Sequence, residues 1–298
     1  GVGSGSELGS DGASVGTVVV SPSGSVGAGA ASRRLYMQKT STASKTRPIT
    51  ARIILFVLIS ITISDITTFT VPGQRPVAAG RWLCYTWAKI FREAEAMKLT
   101  WYGHSCFMLE SRAGRLVFDP YADDFPRGLK LPALTADVVL CSHRHDDHCA
   151  EDKVTLTGEQ TDYTVETLFC WHDDVQGKKR GDNLIRIVSG GGARVAHLGD
   201  VGHMLPPGQI KAIGHVDALL IPVGGYYTID AATARQLADA IDAQLVIPMH
   251  YRGEDYGFAE IDTVDSFVAL SKKVEFAEGN SVELPDFGEP RTLVLKLR

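Results

Sequence analysis

One short segment constrains this chain more than any other. The run Ser-His-Arg-His-Asp-Asp-His ends at His148 and directly follows a predicted buried strand, Asp137–Cys141. His143 and His145 are two residues apart, so their side chains point the same way in extended backbone. The chain must then turn, which brings Asp147 and His148 around a second point. Imidazole and carboxylate groups suit zinc and similar divalent cations, so the segment predicts a metal site. A solvated, histidine-rich loop is the alternative.

Three more residues of ligand type follow other predicted strands in the same way. They are His172 after Thr164–Cys170, Asp200 after Ala193–Leu198 and His250 after Leu245–Met249. Loops at strand ends are where functional side chains tend to gather. A single histidine there would mean little, but three such residues together with the first segment are difficult to explain as solvated polar groups.

The fold class follows from the order of apolar patterns after residue 97, where strands come first and then alternate with helices. The other predicted strands are Lys98–Tyr102, Cys106–Glu110, Arg115–Asp119, Asn183–Ser189, Asp217–Val223 and Thr292–Leu297. The predicted helices are Asp230–Ala243, with Thr228 or Asp230 as N-cap, and Ile261–Lys272. This order predicts an α/β protein with two packed sheets and helices outside them.

Residues 1–96 differ in composition from the rest, which predicts a domain boundary before Met97. They hold 10 Lys+Arg and 5 Asp+Glu, whereas residues 97–298 hold 20 and 30, a net charge of −10. Low-complexity composition early in the chain is typical of disorder. Three explanations stay open: an over-extended start, a genuine disordered extension, or a targeting or anchoring segment. The apolar run Ile53–Ser64 is shorter than the roughly 20 residues that span a bilayer, so no membrane partner is expected.

The cysteines and the net charge indicate the compartment in which the protein works and the kind of partner that it binds. The five cysteines include no CxxC pair, and a domain of this size needs no disulfide staple. The prediction is free, mostly buried thiols in a reducing compartment and therefore a cytoplasmic protein. Cys149 directly follows His148, so it could lie near a metal or face away. The acidic domain argues against a nucleic-acid partner and leaves a small-molecule substrate as the expected one. Oligomeric state carries no sequence signal.

The histidine segment and its remote partners together resemble the ligand series of the metallo-β-lactamase superfamily. The matching phrases are Trp101–Phe107, Phe118–Pro120, His172–Asp174, His197–His203, Ile221–Gly225 and Pro248–Tyr251. Within that superfamily the chain looks most like the uncharacterised metal-dependent hydrolases related to ascorbate-6-phosphate lactonase. The resemblance covers residues 97–298 and none of 1–96. It implies a four-layer αββα sandwich.

The resemblance also implies two divalent metal ions, with zinc favoured and manganese or iron as alternatives. The implied ligands are His143, His145 and His172 for one ion, Asp147, His148 and His250 for the other, and Asp200 as the bridge. Only 23 residues separate His148 from His172. This short stretch lacks an obvious helix and makes His172 the least secure ligand by spacing.

The function that the resemblance implies is hydrolysis by a metal-bound hydroxide, because a bound cation lowers the pKa of water from about 15.7 to about 7. The expected substrate is an ester, lactone or phosphoester of a small molecule. Three candidate catalytic residues are Asp147, which can orient the nucleophile, the bridging Asp200, and His203, which can contact substrate or protonate the leaving group. The alternatives are a nuclease or phosphodiesterase of the same fold, a non-catalytic metal-binding protein and a di-iron redox enzyme.

Several other polar residues have two open interpretations each. Asp119 can orient a ligand histidine or simply end a strand before Pro120. His104 can act like His203 or be structural. The basic loop Lys178–Arg180 can attract an anionic substrate or be solvated. Tyr226 and Tyr227 can line the cleft or pack, while His197 and His215 are expected to be structural.

Overall fold

A computed structural model describes residues 96–297. Its strands, in chain order, are β1 (Met97–Trp101), β2 (Phe107–Ser111), β3 (Gly114–Phe118), β4 (Leu134–Ala136), β5 (Val138–Leu140), β6 (Val154–Leu156), β7 (Thr164–Trp171), β8 (Asp182–Gly190), β9 (Ala193–His197), β10 (Val216–Pro222), β11 (Ala243–Met249), β12 (Val274–Phe276), β13 (Ser281–Leu284) and β14 (Arg291–Val294). The α-helices are α1 (Pro207–Ile213), α2 (Ala231–Ala240) and α3 (Asp265–Leu270), and a 3-10 helix covers Glu151–Lys153.

The strands form two large sheets and one small one. The first sheet has five strands in the order β13-β1-β2-β3-β5, antiparallel except for the parallel pair β3 and β5. The second has seven strands in the order β12-β14-β11-β10-β9-β8-β7. Its first five strands are parallel, and β8 then runs antiparallel to both β9 and β7. Strands β4 and β6 form a separate parallel pair.

Alternating side chains on β2 and β3 explain how the first sheet is covered on both faces. Leu109 and Phe118 belong to the main apolar core, which also contains Ile187 and Leu219 of the second sheet. Met108 and Val117 point the other way into a smaller core, as the two-residue period of a strand requires. Both faces of this sheet are therefore buried, and the two sheets share one core.

The outer layers differ between the two sheets. Helix α2 packs on β10, and α3 packs on α2. Asp230, one of the two predicted N-caps, precedes helix α2, and its side chain accepts a hydrogen bond from the backbone N–H of Thr233 at 2.8 Å. The smaller core lies under an irregular segment that contributes Tyr121, Leu129 and Leu131 and under the β4–β6 pair. Packed sheets with helices outside the second one agree with the predicted α/β class.

Strand direction decides where the functional loops meet. Strands β7, β9 and β11 all run the same way, so the loops that follow them emerge at one edge of the second sheet. Strands β3 and β5 are also parallel to one another, so the residues after Phe118 and Leu140 share one end of the first sheet. Every predicted metal ligand follows β5, β7, β9 or β11.

Some expectations fall outside residues 96–297. The predicted disordered extension, the apolar run Ile53–Ser64 and Cys84 all lie outside the described residues, so the domain boundary at Met97 stays a prediction. Within the described part of the chain, no helix has both the length and the apolar character needed to cross a membrane.

Candidate metal centre

The loop between β5 and the 3-10 helix carries the first four ligand-type residues. It turns at His145, whose carbonyl accepts the backbone N–H groups of His148 at 3.0 Å and Cys149 at 2.9 Å. Its start is fixed by Asp119, which accepts the backbone N–H and the hydroxyl of Ser142, both at 2.6 Å. The extended start and the later turn separate the side chains into two groups, as the sequence predicts.

A disulfide closes this loop, which corrects the prediction of free thiols. Cys141 and Cys149 are bonded, with their Cα atoms 5.4 Å apart, well within the range that a disulfide requires. Cys106 and Cys170 are free and buried, as expected. Nothing in the local sequence indicates this bond, because the two cysteines are eight residues apart and form no recognised pairing motif. Disulfides are rare in reducing compartments, so the cytoplasmic prediction loses the support that free thiols gave it and stays untested.

The first ligand group consists of His143, His145 and His172, whose candidate ligand atoms lie within 4.8 Å of one another. The ring centroids of His143 and His172 are 4.6 Å apart. His172 directly follows β7, and its backbone N–H donates to the carbonyl of Gly181 at 3.0 Å. His172, the ligand that its spacing in the sequence left least secure, therefore lies beside His143 and His145.

The second ligand group lies around Asp200. The Oδ2 atom of Asp200 is 3.0 Å from His250 Nε2 and 3.3 Å from His148 Nε2. The same oxygen is 3.4 Å from Nε2 of His172, a member of the first group. Asp147 Oδ2 is 3.5 Å from His148 Nε2. Asp200 Oδ2 thus lies close to histidines of both groups, which is the position a bridging carboxylate needs.

These separations fit shared cations. Two ligands about 2.0–2.2 Å from one tetrahedral ion are about 3.4 Å apart, and the cluster repeats that spacing. Among residues 96–297, the buried side-chain atoms without a hydrogen-bond partner include His143 Nε2, His148 Nε2, His250 Nε2 and Asp200 Oδ1. Buried polar atoms are normally paired, so four unpaired ones aimed into one cluster indicate that cations are their partners.

Charge interactions in the cluster favour bound cations as well. Burial works against ionisation of Asp200, yet His148 and His250 hold the pKa of its carboxyl well below the usual value. Burial likewise opposes a charged His148, but Asp200 and Asp147 raise its pKa well above the ordinary value. Burial and the neighbouring His148 lower the pKa of His143 to about 3. The carboxylates stay ionised and attract positive charge, while His143 stays neutral with a lone pair to donate.

Asp119 orients histidines of both groups. It is fully buried and accepts a hydrogen bond from His148 Nδ1 at 2.7 Å. It also accepts the hydroxyl of Ser142, whose oxygen lies 2.9 Å from His143 Nδ1. These contacts hold a proton on Nδ1 of each histidine and direct its Nε2 into the cluster, the arrangement that a carboxylate behind a ligand histidine produces. This is the contact predicted for Asp119.

Two further residues in the cluster were not among the predicted ligands. Asn183 accepts the backbone N–H of Asp200 at 2.9 Å and donates to the carbonyl of Leu198 at 2.8 Å. His104 is buried, and its Nε2 lies 3.3 Å from Asp147 Oδ2. Burial, then His250, lower the pKa of His104 to about 4. The sequence predicted for His104 a substrate contact, protonation of the leaving group or a structural role, and not a place among the ligands, because its approach to them depends on the pairing of distant strands.

The ring of His203, the third predicted catalytic residue, contacts backbone groups through both of its nitrogens. Its Nε2 accepts the backbone N–H of Trp171 at 3.2 Å, and its Nδ1 lies 2.9 Å from the carbonyl of Met204. Both ring nitrogens are therefore engaged with backbone groups, so this conformation leaves no N–H for a leaving group. Its proposed role in proton transfer stays a prediction. His197 is buried and bonded on both nitrogens, to Ser105 and Gly199, as a structural histidine should be.

An aromatic and basic rim lies next to the ligands. Phe258 is 5.7 Å from the His104 ring and 5.6 Å from the Tyr227 ring. The Arg180 guanidinium lies 5.5 Å from the centre of the Tyr227 ring and donates to the carbonyl of Tyr226 at 2.9 Å. The loop that carries Arg180 is shaped by Asp173, which accepts four backbone N–H groups. Arg180, the last residue of the basic loop Lys178–Arg180, is therefore held at this rim.

Comparisons with known proteins give a consistent result. A family described as the β-lactamase superfamily domain matches residues 98–250. A UPF0173 metal-dependent hydrolase of Thermoplasma acidophilum is 28% identical over 66% of this chain and 98% of its own length. A UPF0173 protein of Pyrococcus furiosus is 31% identical over 52% of this chain and 83% of its own.

A solved structure from Thermotoga maritima, described as a Zn-dependent hydrolase of the metallo-β-lactamase superfamily, is 35% identical to this chain. It aligns over 68% of this chain and 100% of its own, with a TM-score of 0.53. Its match supports the two-sheet architecture and the predicted fold class.

Proposed function

This chain belongs to the metallo-β-lactamase superfamily, and from that premise we propose that it is a metal-dependent hydrolase acting on an ester, lactone or phosphoester of a small molecule. Its named relatives include metal-dependent hydrolases, which supports the general activity. The link to ascorbate-6-phosphate lactonase remains an expectation from sequence resemblance. The narrower choice of bond rests on the chemistry of the cluster.

The position of Asp200 carries the proposal. A buried carboxylate within 3.4 Å of histidines from two separate groups is costly unless positive charge balances it. The ligands proposed for one ion are His143, His145 and His172, and those for the other are Asp147, His148 and His250, with Asp200 between them. Histidine and carboxylate ligands suit zinc, with manganese or iron as alternatives, and the name of the Thermotoga maritima relative specifies zinc.

Divalent cations in such a site acidify a water molecule and polarise the bond to be broken. The protein's own groups set the geometry. Asp119 and Ser142 fix the histidine tautomers so that lone pairs face the cluster. Asp147 Oδ2 faces both His104 Nε2 and His148 Nε2, which places an ionised carboxylate where it can orient a nucleophile.

The rim favours a small substrate that carries negative charge. Residues 97–298 have a net charge of −10, so long polyanions such as nucleic acids are repelled. Arg180 is nevertheless held beside Tyr227 at the edge of the ligand cluster, where one local cation can contact an anionic group. A nuclease or phosphodiesterase of the same fold is the second candidate, which the negative domain charge disfavours.

A substrate screen of metal-loaded protein tests the proposal. The panel contains lactones, carboxylic esters, phosphomonoesters, phosphodiesters and a short oligonucleotide, each measured before and after chelation. His145→Ala should abolish metal-dependent hydrolysis. The control His215→Ala alters an exposed histidine paired with Asp242 and should keep it. Chelator-resistant turnover, or equal activity of both variants, contradicts the assignment. Cleavage of the oligonucleotide alone favours the nuclease.

A further inference from the structure

His104 lies in the turn between β1 and β2 with its backbone held from two sides. Its φ of 49° is in the left-handed region, which non-glycine residues rarely adopt unless their surroundings hold them there. The indole N–H of Trp101 donates to the His104 carbonyl at 3.0 Å, and the backbone N–H of His250 donates to the same oxygen at 3.2 Å. The second contact ties this turn directly to a proposed ligand.

The His104 ring lies against the second ligand group. Its centroid is 4.0 Å from the His250 ring and 5.1 Å from the His148 ring. Its Nε2 lies 3.3 Å from Asp147 Oδ2, close to the spacing of about 3.4 Å expected of two ligands on one ion. The candidate ligand atoms of His104, Asp147, His148 and His250 all lie within 4.8 Å of one another.

A purely structural histidine in this protein looks different. His197 is equally buried, but one of its ring nitrogens contacts the carbonyl of Ser105 and the other accepts the N–H of Gly199. His104 has a buried Nδ1 with no hydrogen-bond partner among the described residues, and its other nitrogen faces a ligand carboxylate. The ring is therefore positioned by its backbone rather than by polar contacts of its own, with Nε2 directed at the cluster.

We propose that His104 is a fourth protein ligand of the ion held by Asp147, His148 and His250. The inference rests on the proposed function, since it requires that the cluster binds metal. The two ions would then have unequal surroundings: His143, His145 and His172 around one, and three histidines with Asp147 around the other. The rival interpretation is that His104 only donates a hydrogen bond to Asp147 and orients it.

Cobalt-substituted full-length protein distinguishes these interpretations without measuring activity. The buried imidazole N–H protons of histidines bound to Co²⁺ give strongly shifted NMR signals that can be counted. His145 is exposed, so its N–H exchanges with water and is not counted. The proposal therefore expects five such signals, from His104, His143, His148, His172 and His250, whereas four means that His104 is not a ligand. The count uses the unaltered chain, so it does not depend on a variant folding.

His104→Gln sharpens the test, because a glutamine amide can still donate to Asp147 but is a poor ligand. It should lose one shifted signal and bind the second Co²⁺ at least about tenfold more weakly, whereas the control His215→Gln changes neither. A His104→Gln variant that keeps the affinity, with only His104→Ala weakened, supports orientation of Asp147 and overturns the proposal. Failure of the unaltered chain to bind any Co²⁺ counts against the proposed function itself.

Discussion

Replacing Asp119 with asparagine tests how the histidines are held. The Asp119 carboxylate accepts the Ser142 N–H at 2.6 Å, the Ser142 hydroxyl at 2.6 Å and His148 Nδ1 at 2.7 Å. An asparagine keeps one oxygen for the backbone N–H of Ser142. Its NH₂ group must then face the N–H of His148, so donor meets donor and the charge-assisted bond is lost. Such bonds contribute roughly 1.5–3 kcal/mol.

The expected consequence is weaker binding at both ligand groups, because Asp119 reaches His143 through Ser142 and His148 directly. Loss of a carboxylate behind a ligand histidine costs about 10–100-fold in metal affinity, which corresponds to about 1.4–2.7 kcal/mol. Competition between the protein and a chromophoric chelator for Zn²⁺ measures this affinity directly.

Asp137→Asn is the matched control. Asp137 also accepts a backbone N–H, from Arg115 at 2.7 Å, and a hydroxyl, from Thr157 at 2.5 Å, but it contacts no ligand histidine. Both variants should lose stability, whereas only Asp119→Asn should lose metal affinity. If the two variants bind Zn²⁺ equally well, Asp119 does not orient the ligands and the reasoning is wrong.

The remaining predictions concern the bridge, the disulfide and the domain boundary. Asp200→Asn should reduce hydrolysis by more than the roughly 10–100-fold loss that follows removal of a residue hydrogen-bonded to a metal ligand. The circular dichroism spectrum should stay unchanged. Activity retained with full metal content would show that Asp200 is not the bridge. Replacing Cys141 and Cys149 together by serine should lower the melting temperature by about 5–10 °C, since closing so short a loop contributes roughly 2–3 kcal/mol in the chain-entropy model; an unchanged melt under oxidising conditions would argue against the bond. A chain starting at Met97 should keep its melting temperature and metal content, because all predicted ligands follow Met97 in the sequence. A clear loss of either would show that residues 1–96 contribute to the folded domain.

Much of the fold was predictable because strands leave a periodic signal. Thr164–Cys170 and Ala193–Leu198 were each predicted to within a residue or so of β7 and β9. Helix α1 was missed because Pro206 and Pro207 resemble a loop, although proline is favoured in the first turn of a helix. Strand β13 was missed because it pairs with β1, far away in the sequence. The helix predicted over Ile261–Lys272 covers only Asp265–Leu270.

The candidate site was predictable where ligand-type residues follow strands. Local patterns and resemblance led to the prediction of His143 and Asp200 as ligands, because each lies at the end of a clear apolar run. Those local patterns could not reveal that the turn carrying His104 contacts His250, because the two residues are far apart in the sequence. The Cys141–Cys149 bond is a similar case, because it depends on how the metal loop folds back on itself.

Metal content is the most direct test of the two-ion centre. Full-length protein is reconstituted with Zn²⁺, passed through a desalting column and subjected to elemental analysis, alongside the variant His250→Ala. The two ligand groups around Asp200 predict close to two ions per chain for the unaltered protein and about one for the variant. An unaltered protein that retains no zinc, or a variant that retains as much zinc as the unaltered protein, would contradict the account.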